Sequence, residues 1–213
     1  MTQDHATALA KPADPEEEPA VEAAYSVTLV EGSTFAVSGR SGDMDPEHPQ
    51  GLFFRDTRVL ATWRLRLGGG PIQVLTVVPR EPFRATFLAR VPPRSSSTEL
   101  FVERSRAVGN GMREDLRVRN VGNAPVTATL TLDAGSDFAD LFAVKEGRAR
   151  ADVPATATPQ GDALVLSSGP ADTGRGVRIS AAGATLPPWF TKRSQWDSNP
   201  PRRSSPMPTT TRS

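Results

Sequence analysis

Two aspartates three residues apart, Asp137 and Asp140, stand in the stretch Ser136 to Gly147, SDFADLFAVKEG. Paired carboxyl groups are the working parts of glycoside hydrolysis. They sit roughly 5–5.5 Å apart in retaining enzymes and roughly 6.5–9.5 Å apart in inverting ones. A three-residue offset on a helical turn brings two carboxylates into that range. The competing assignment is structural and is favoured: Ser136 or Asp137 accepts from the free N–H groups of the turn that follows. The stretch is read as a turn or short helical connection that buries Phe138, Leu141 and Phe142 and leaves its carboxylates free. A second cluster, Arg55-Asp56-Thr57-Arg58, lies between the apolar run Gly51 to Phe54 and the strand that holds Trp63. It suits a polar knot at a domain interface or sugar cleft, with Asp56 accepting from an arginine. A structural ion pair that fixes the start of a strand is the simpler assignment.

Other chemistries find little support. Thiolate catalysis, disulfides and cysteine-bound metals are excluded, because the chain has no cysteine. Its two histidines, His5 and His48, belong to no pattern with metal-ligand spacing, so neither a metal nor another cofactor is expected. Gly68-Gly69-Gly70 precedes a strand, whereas a phosphate cradle needs a helix N-terminus after its glycines. Asp43 and Asp45 fall in a loop and are expected to be solvated. Arg113, Arg117 and Arg119, with Arg104 and Arg106 opposite, form the best basic patch. Nearby Glu103, Glu114 and Asp115, and the lack of aromatics for base stacking, make it a salt-bridged, solvated sheet face. Trp63 shares an apolar stripe with Leu65 and Leu67 and is assigned to the core.

These residues need a frame, and the composition points to an all-β one. The chain of 213 residues carries 20 Pro and 17 Gly and shows no long helical pattern, as in a loop-rich β protein. Its net charge of +1 does not suggest a nucleic-acid binder. No signal peptide and no apolar run of the ~20 residues needed to span a bilayer is seen. With the missing cysteines, this leads to an expectation of a cytoplasmic protein without membrane contact.

Three zones follow from composition. Residues 1–24 are an acidic lead expected to be disordered, residues 25–184 the folded unit, and residues 185–213 a Pro-, Ser- and Arg-rich tail also expected to be disordered. Within the folded unit, Tyr25 to Val30 and Thr34 to Ser38 flank a Glu31-Gly32-Ser33 turn. Leu60 to Leu67 alternates with Trp63, Leu65 and Leu67 on one face. Ile72 to Val78 and Phe83 to Val91 are further strands. Leu100 to Val108 and Met112 to Asn120 flank Gly109-Asn110-Gly111, and Val126 to Leu132 alternates after them. Ala163 to Ser167 and Gly176 to Ser180 are weaker. About ten short strands at this spacing predict an antiparallel β-sandwich.

Four segments, in order, carry a resemblance: LVEGSTFAVSGRSGD (Leu29 to Asp43), GLFFRDTRVL (Gly51 to Leu60), ERSRAVGNGMREDLRVRNVG (Glu103 to Gly122) and SDFADLFAVKEGR (Ser136 to Arg148). Over roughly residues 27 to 150 the chain resembles the N-terminal domain of bacterial glycogen debranching enzyme-like proteins. That domain precedes an amylo-alpha-1,6-glucosidase-type catalytic domain. A His often stands before the family's Arg-Asp-Thr-Arg run; here it is Phe54, which argues against a polar role at that position. The resemblance implies a super-sandwich-like β-domain packed on a helical (α/α) barrel that holds the catalytic acids. It implies no catalytic residue here and no activity by this chain alone. It makes Arg55, Asp56, Arg58, Asp137 and Asp140 interface or glucan-cleft residues, and the partners a catalytic domain and an alpha-glucan. Loss of pattern after Ser180 leads to the expectation of a frame broken near residue 185, which would leave an incomplete, poorly stable sandwich. The alternative is a free-standing carbohydrate- or protein-binding module.

Overall fold

The structure is a computed structural model that describes residues 26–68, 70–91, 99–149, 155–169, 174–182 and 194–198. The lead expected to be disordered, and all of the expected tail except Ser194–Ser198, lie outside the described residues. The fold is an all-β antiparallel sandwich. The first sheet is a meander of β1 (Ser26–Glu31), β2 (Thr34–Gly39), β3 (Gly51–Phe54) and β4 (Thr57–Leu60). A second sheet has β5 (Thr62–Leu67) between the short β6 (Gly70–Pro71) and β11 (Ala128–Gly135). The third runs in the order β10 (Gly111–Asn120), β9 (Leu100–Gly109), β8 (Arg84–Val91), β7 (Gln73–Glu81). A small fourth sheet is formed by β12 (Thr156–Gln160), β13 (Ala163–Ser168) and β14 (Arg175–Ser180). Ser194–Ser198 forms β15 on the free edge of β11, inside the stretch that composition assigned to the tail.

Alternation explains most of these elements. In β5 every second side chain is buried, with Trp63, Leu65 and Leu67 facing in. In β9 the buried positions are Leu100, Val102, Arg104, Arg106 and Val108. The tight turns fall where the glycines stand: β1 and β2 close over Gly32 at φ 58, and Gly109 pairs with Gly111 at the β9–β10 turn. One apolar core runs through the sheets, from Leu29 and Leu52 through Trp63, Phe87, Val102 and Leu132 to Leu164.

The strands β3 and β4 were not legible as strands, because the charged run Arg55 to Arg58 was taken as one unit. In the structure only Arg55 and Asp56 make the turn, and Thr57 already pairs with Phe54. Arg55 adopts φ 54, unusual for a residue with a Cβ, and its N–H donates to the Ser33 carbonyl at 2.7 Å.

Gly51 at the head of β3 holds φ 149, and an added Cβ would lie 2.5 Å from the Leu60 carbonyl oxygen and 2.6 Å from the Arg58 Cδ. The missing side chain lets the Arg58 stem cross the strand. Gly51→Ala is therefore expected to lower stability by about 3 kcal/mol or more, through backbone strain and collision together. Urea denaturation of the purified chain checks this, and an unchanged midpoint would contradict it.

Candidate functional site

The segment that follows β11 folds back along the outer edge of β4. Thr57 and Asp140 form an antiparallel bridge, the Arg58 N–H donates to the Ala139 carbonyl at 2.9 Å, and the Leu141 N–H donates to the Asp56 carbonyl at 2.9 Å. The two sequence clusters, 79 residues apart at the Arg58–Asp137 pair, are thus one structural unit. Arg58 is 1% exposed and grips Asp137 with two parallel bonds, Nε to Oδ1 at 3.1 Å and Nη2 to Oδ2. Its Nη1 donates to the carbonyls of Gln50 at 3.1 Å and His48 at 3.4 Å. Such a fork-to-carboxylate pair fixes orientation as well as charge.

Neither carboxylate is free, contrary to one expectation, while the favoured one is met: Ser136 and Asp137 both accept N–H groups of the turn that follows. Asp137 is occupied by Arg58 and also accepts the Ala139 N–H at 3.2 Å. Asp140 is the N-cap of the one-turn helix α1 (Leu141–Lys145) and accepts the Phe142 N–H at 2.8 Å. Ser136 Oγ accepts the Phe138 N–H, which holds Phe138 at φ 49. The apolar assignment also needs correction: Phe138 and Val144 are buried, but Phe142 is 62% exposed. Phe54 is 42% exposed, and the Arg55 guanidinium lies 5.4 Å from its ring centre. The exposed members of the predicted set, Arg55, Asp56 and Asp140, thus share a rim with two exposed aromatic rings. Arg58 and Asp137 form the buried clamp beneath.

A second polar cluster went unrecognised in the sequence. Arg104 and Arg106, assigned to a solvated face, are both fully buried, and the Glu114 side chain is 3% exposed. Arg106 pairs in register with Glu114, and the neighbouring arginine reaches the same carboxylate, with Arg104 Nη2 3.0 Å from Oε1 and Arg106 Nε 2.8 Å from Oε2. Trp63 Nε1 donates to Glu114 from β5 at 3.3 Å. Arg104 also donates to the Ser41 carbonyl at 2.8 Å and to Asp43, and both arginines reach the Gly42 carbonyl. Asp43 in turn accepts the Leu65 N–H at 3.1 Å, so this loop aspartate is engaged where solvation was expected. Asp45 likewise pairs with Arg64 at 2.7 Å. The signal was present in parity. Arg104 and Arg106 fall between Val102 and Val108, and Glu114 between Met112 and Leu116, on positions that alternation assigns to the apolar face.

The electrostatics follow from burial and pairing. Burial alone would raise the Glu114 carboxyl, but the charges of Arg106 and Arg104 and the bonds from Arg106 and Trp63 outweigh it and hold the group below the ordinary range. Burial depresses Arg106 and is only partly offset by Glu114, while Glu114 and Asp43 overcome burial at Arg104 and raise it. Among the described residues, no group of three or more His, Asp or Glu is placed to hold a metal ion. No helix among them is long and apolar enough to cross a membrane.

A lowered folded-state value means that Glu114 contributes stability that is present above the unfolded carboxylate range and lost as pH falls through the folded value. Stability is expected to fall below about pH 4.5, where an unfolded Glu begins to bind its proton. Glu114→Gln is expected to cost about 3–5 kcal/mol at pH 7, because it leaves two buried guanidiniums facing a neutral group. The variant's acid limb should also be shallower. Chemical denaturation across pH 3–7 measures both, and parallel curves would contradict the assignment.

No curated protein matches the chain. The family described as the N-terminal domain of (some) glycogen debranching enzymes matches residues 29–197, well past residue 150 where the resemblance seemed to fade. The match takes in all four quoted segments, both buried arginine clusters and the rim, and the chain belongs to that family of N-terminal domains.

Proposed function

We propose that this chain is the non-catalytic β-sandwich domain of an alpha-glucan debranching-type glycosidase, and that it works by packing on a helical catalytic domain. The observation that carries this reading is the rim. Phe142 and Phe54 stand exposed beside Arg55, Asp56 and Asp140, on a segment that Arg58 and Asp137 clamp from below. Aromatic and arginine side chains on a rigid base are the groups that dominate protein interfaces. The carboxylates that resembled a glycosidase pair are used for a clamp and a helix cap, which supports a structural role for this domain. The acids that cleave the glucan then belong to the partner domain. The cysteine-free composition supports a cytoplasmic setting.

The exposed aromatic rings also favour a second reading, a module that binds glucan itself, since sugars stack on such surfaces. The two are separable. The full chain is mixed with a separately purified debranching catalytic domain and followed by sedimentation, with retention on amylopectin measured in parallel. The packing reading expects a complex that Phe142→Asp weakens at least about tenfold, in line with an interface anchor, and no amylopectin retention. Retention that depends on Phe142, without complex formation, would overturn it in favour of the module.

A further inference from the structure

Charge is segregated along this chain. The lead carries Asp4, Asp14, Glu16, Glu17, Glu18 and Glu22 against the single base Lys11. The outer face of the β7–β10 sheet has the opposite sign. Register places Arg84 and Arg113 on either side of Ala107, Arg90 and Arg119 on either side of Phe101, and Arg117 opposite Glu103. Directly opposed residues in an antiparallel sheet point to the same face. The inner face holds Phe87, Arg104 and Leu116 in the alternate rows, so these five arginines share the outer one. Three acids answer them: Asp115 paired with Arg113 at 2.9 Å, Glu103 with Arg117 at 3.5 Å, and Glu81 directly opposite Arg84 on β7. Arg90 bonds to neutral Gln73, and the Arg84 guanidinium stands 5.8 Å from the Phe83 ring centre.

We propose that the acidic stretch Asp14–Glu22 docks on this arginine face of its own chain. It would screen the face from other anionic partners. Reach is no obstacle. The lead joins β1, which lies against β9, and Glu22 to Asp14, four to twelve residues before Ser26, reach roughly 13–43 Å from it, against roughly 15 Å for the width of a four-stranded sheet. The attraction is among exposed charges, so it weakens as salt shortens the Debye length from about 30 Å at 0.01 M to about 3 Å at 1 M. This surface is distinct from the rim, and the inference does not depend on the packing reading.

The absence of native cysteine allows a single spin label at Ala20→Cys in the full chain. At about 0.01 M salt the label should broaden the amide signals of Arg113, Arg117 and Arg119, and the effect should vanish near 1 M. The triple change Glu16→Gln, Glu17→Gln, Glu18→Gln should abolish it at low salt while leaving the other amide positions unchanged. No broadening on β10, or broadening that survives the triple change, overturns the proposal. So does broadening transferred between labelled and unlabelled molecules in a mixture, which would make the occupant a second copy.

Discussion

A single buried carboxylate between two buried arginines sets the terms for the rest of the molecule. Glu114, Arg104 and Arg106 are out of water, and each ion carries a desolvation cost of several kcal/mol that its partners must offset. A well-packed apolar cluster could stabilise a core as well. What the ions add is direction. The arginines donate to the carbonyls of Ser41 and Gly42, Glu114 accepts from Trp63, Asp43 joins Arg104 to the Leu65 N–H, and the loop after β2, the strand β5 and the β9–β10 hairpin are held in one relative position. A lysine offers no planar fork and could not make this set of contacts.

Arg58 repeats the device on the other side of the same loop. It takes the carbonyls of His48 and Gln50 while gripping Asp137, so residues 39–50 are fastened near both ends by guanidinium groups from different strands. The loop is irregular and needs its carbonyls satisfied from outside, and buried arginines do so where water would otherwise be needed. The consequence at the rim is a fixed geometry. Because Asp137 is clamped and Asp140 caps α1, the exposed Phe142 and the Arg55–Asp56 turn stand on a fixed base. A surface already ordered loses less entropy on docking.

The sheets were largely legible because period-two alternation survives wherever one face is buried. The stripe of Trp63, Leu65 and Leu67 and the hairpins at Gly32 and Gly109-Asn110-Gly111 are found where the pattern placed them. What failed was the assumption that charge means solvent. Arg104, Arg106 and Glu114 occupy inward positions of otherwise correct strands and Arg58 one of β4, and Asp137 and the loop carbonyls that complete their networks come from distant segments that no local pattern reveals. The reverse error occurred at Phe142, where an aromatic residue was taken as buried although α1 has a single turn and turns that ring outward. Of the five candidate residues, the structure divides two buried, Arg58 and Asp137, from three at the rim.

The chain belongs to a family of N-terminal domains, and its buried charges give that domain a fixed shape. The most direct test of the central claim is native-state hydrogen exchange on the full chain. If the buried ion networks fix the loop and the clamp, the N–H groups of Met44, Leu65 and Ala139 exchange only through global unfolding, at the same free energy as those in the middle of β9. Exchange through a separate opening of several kcal/mol lower free energy would show that the loop and the rim segment move independently, and would contradict the account.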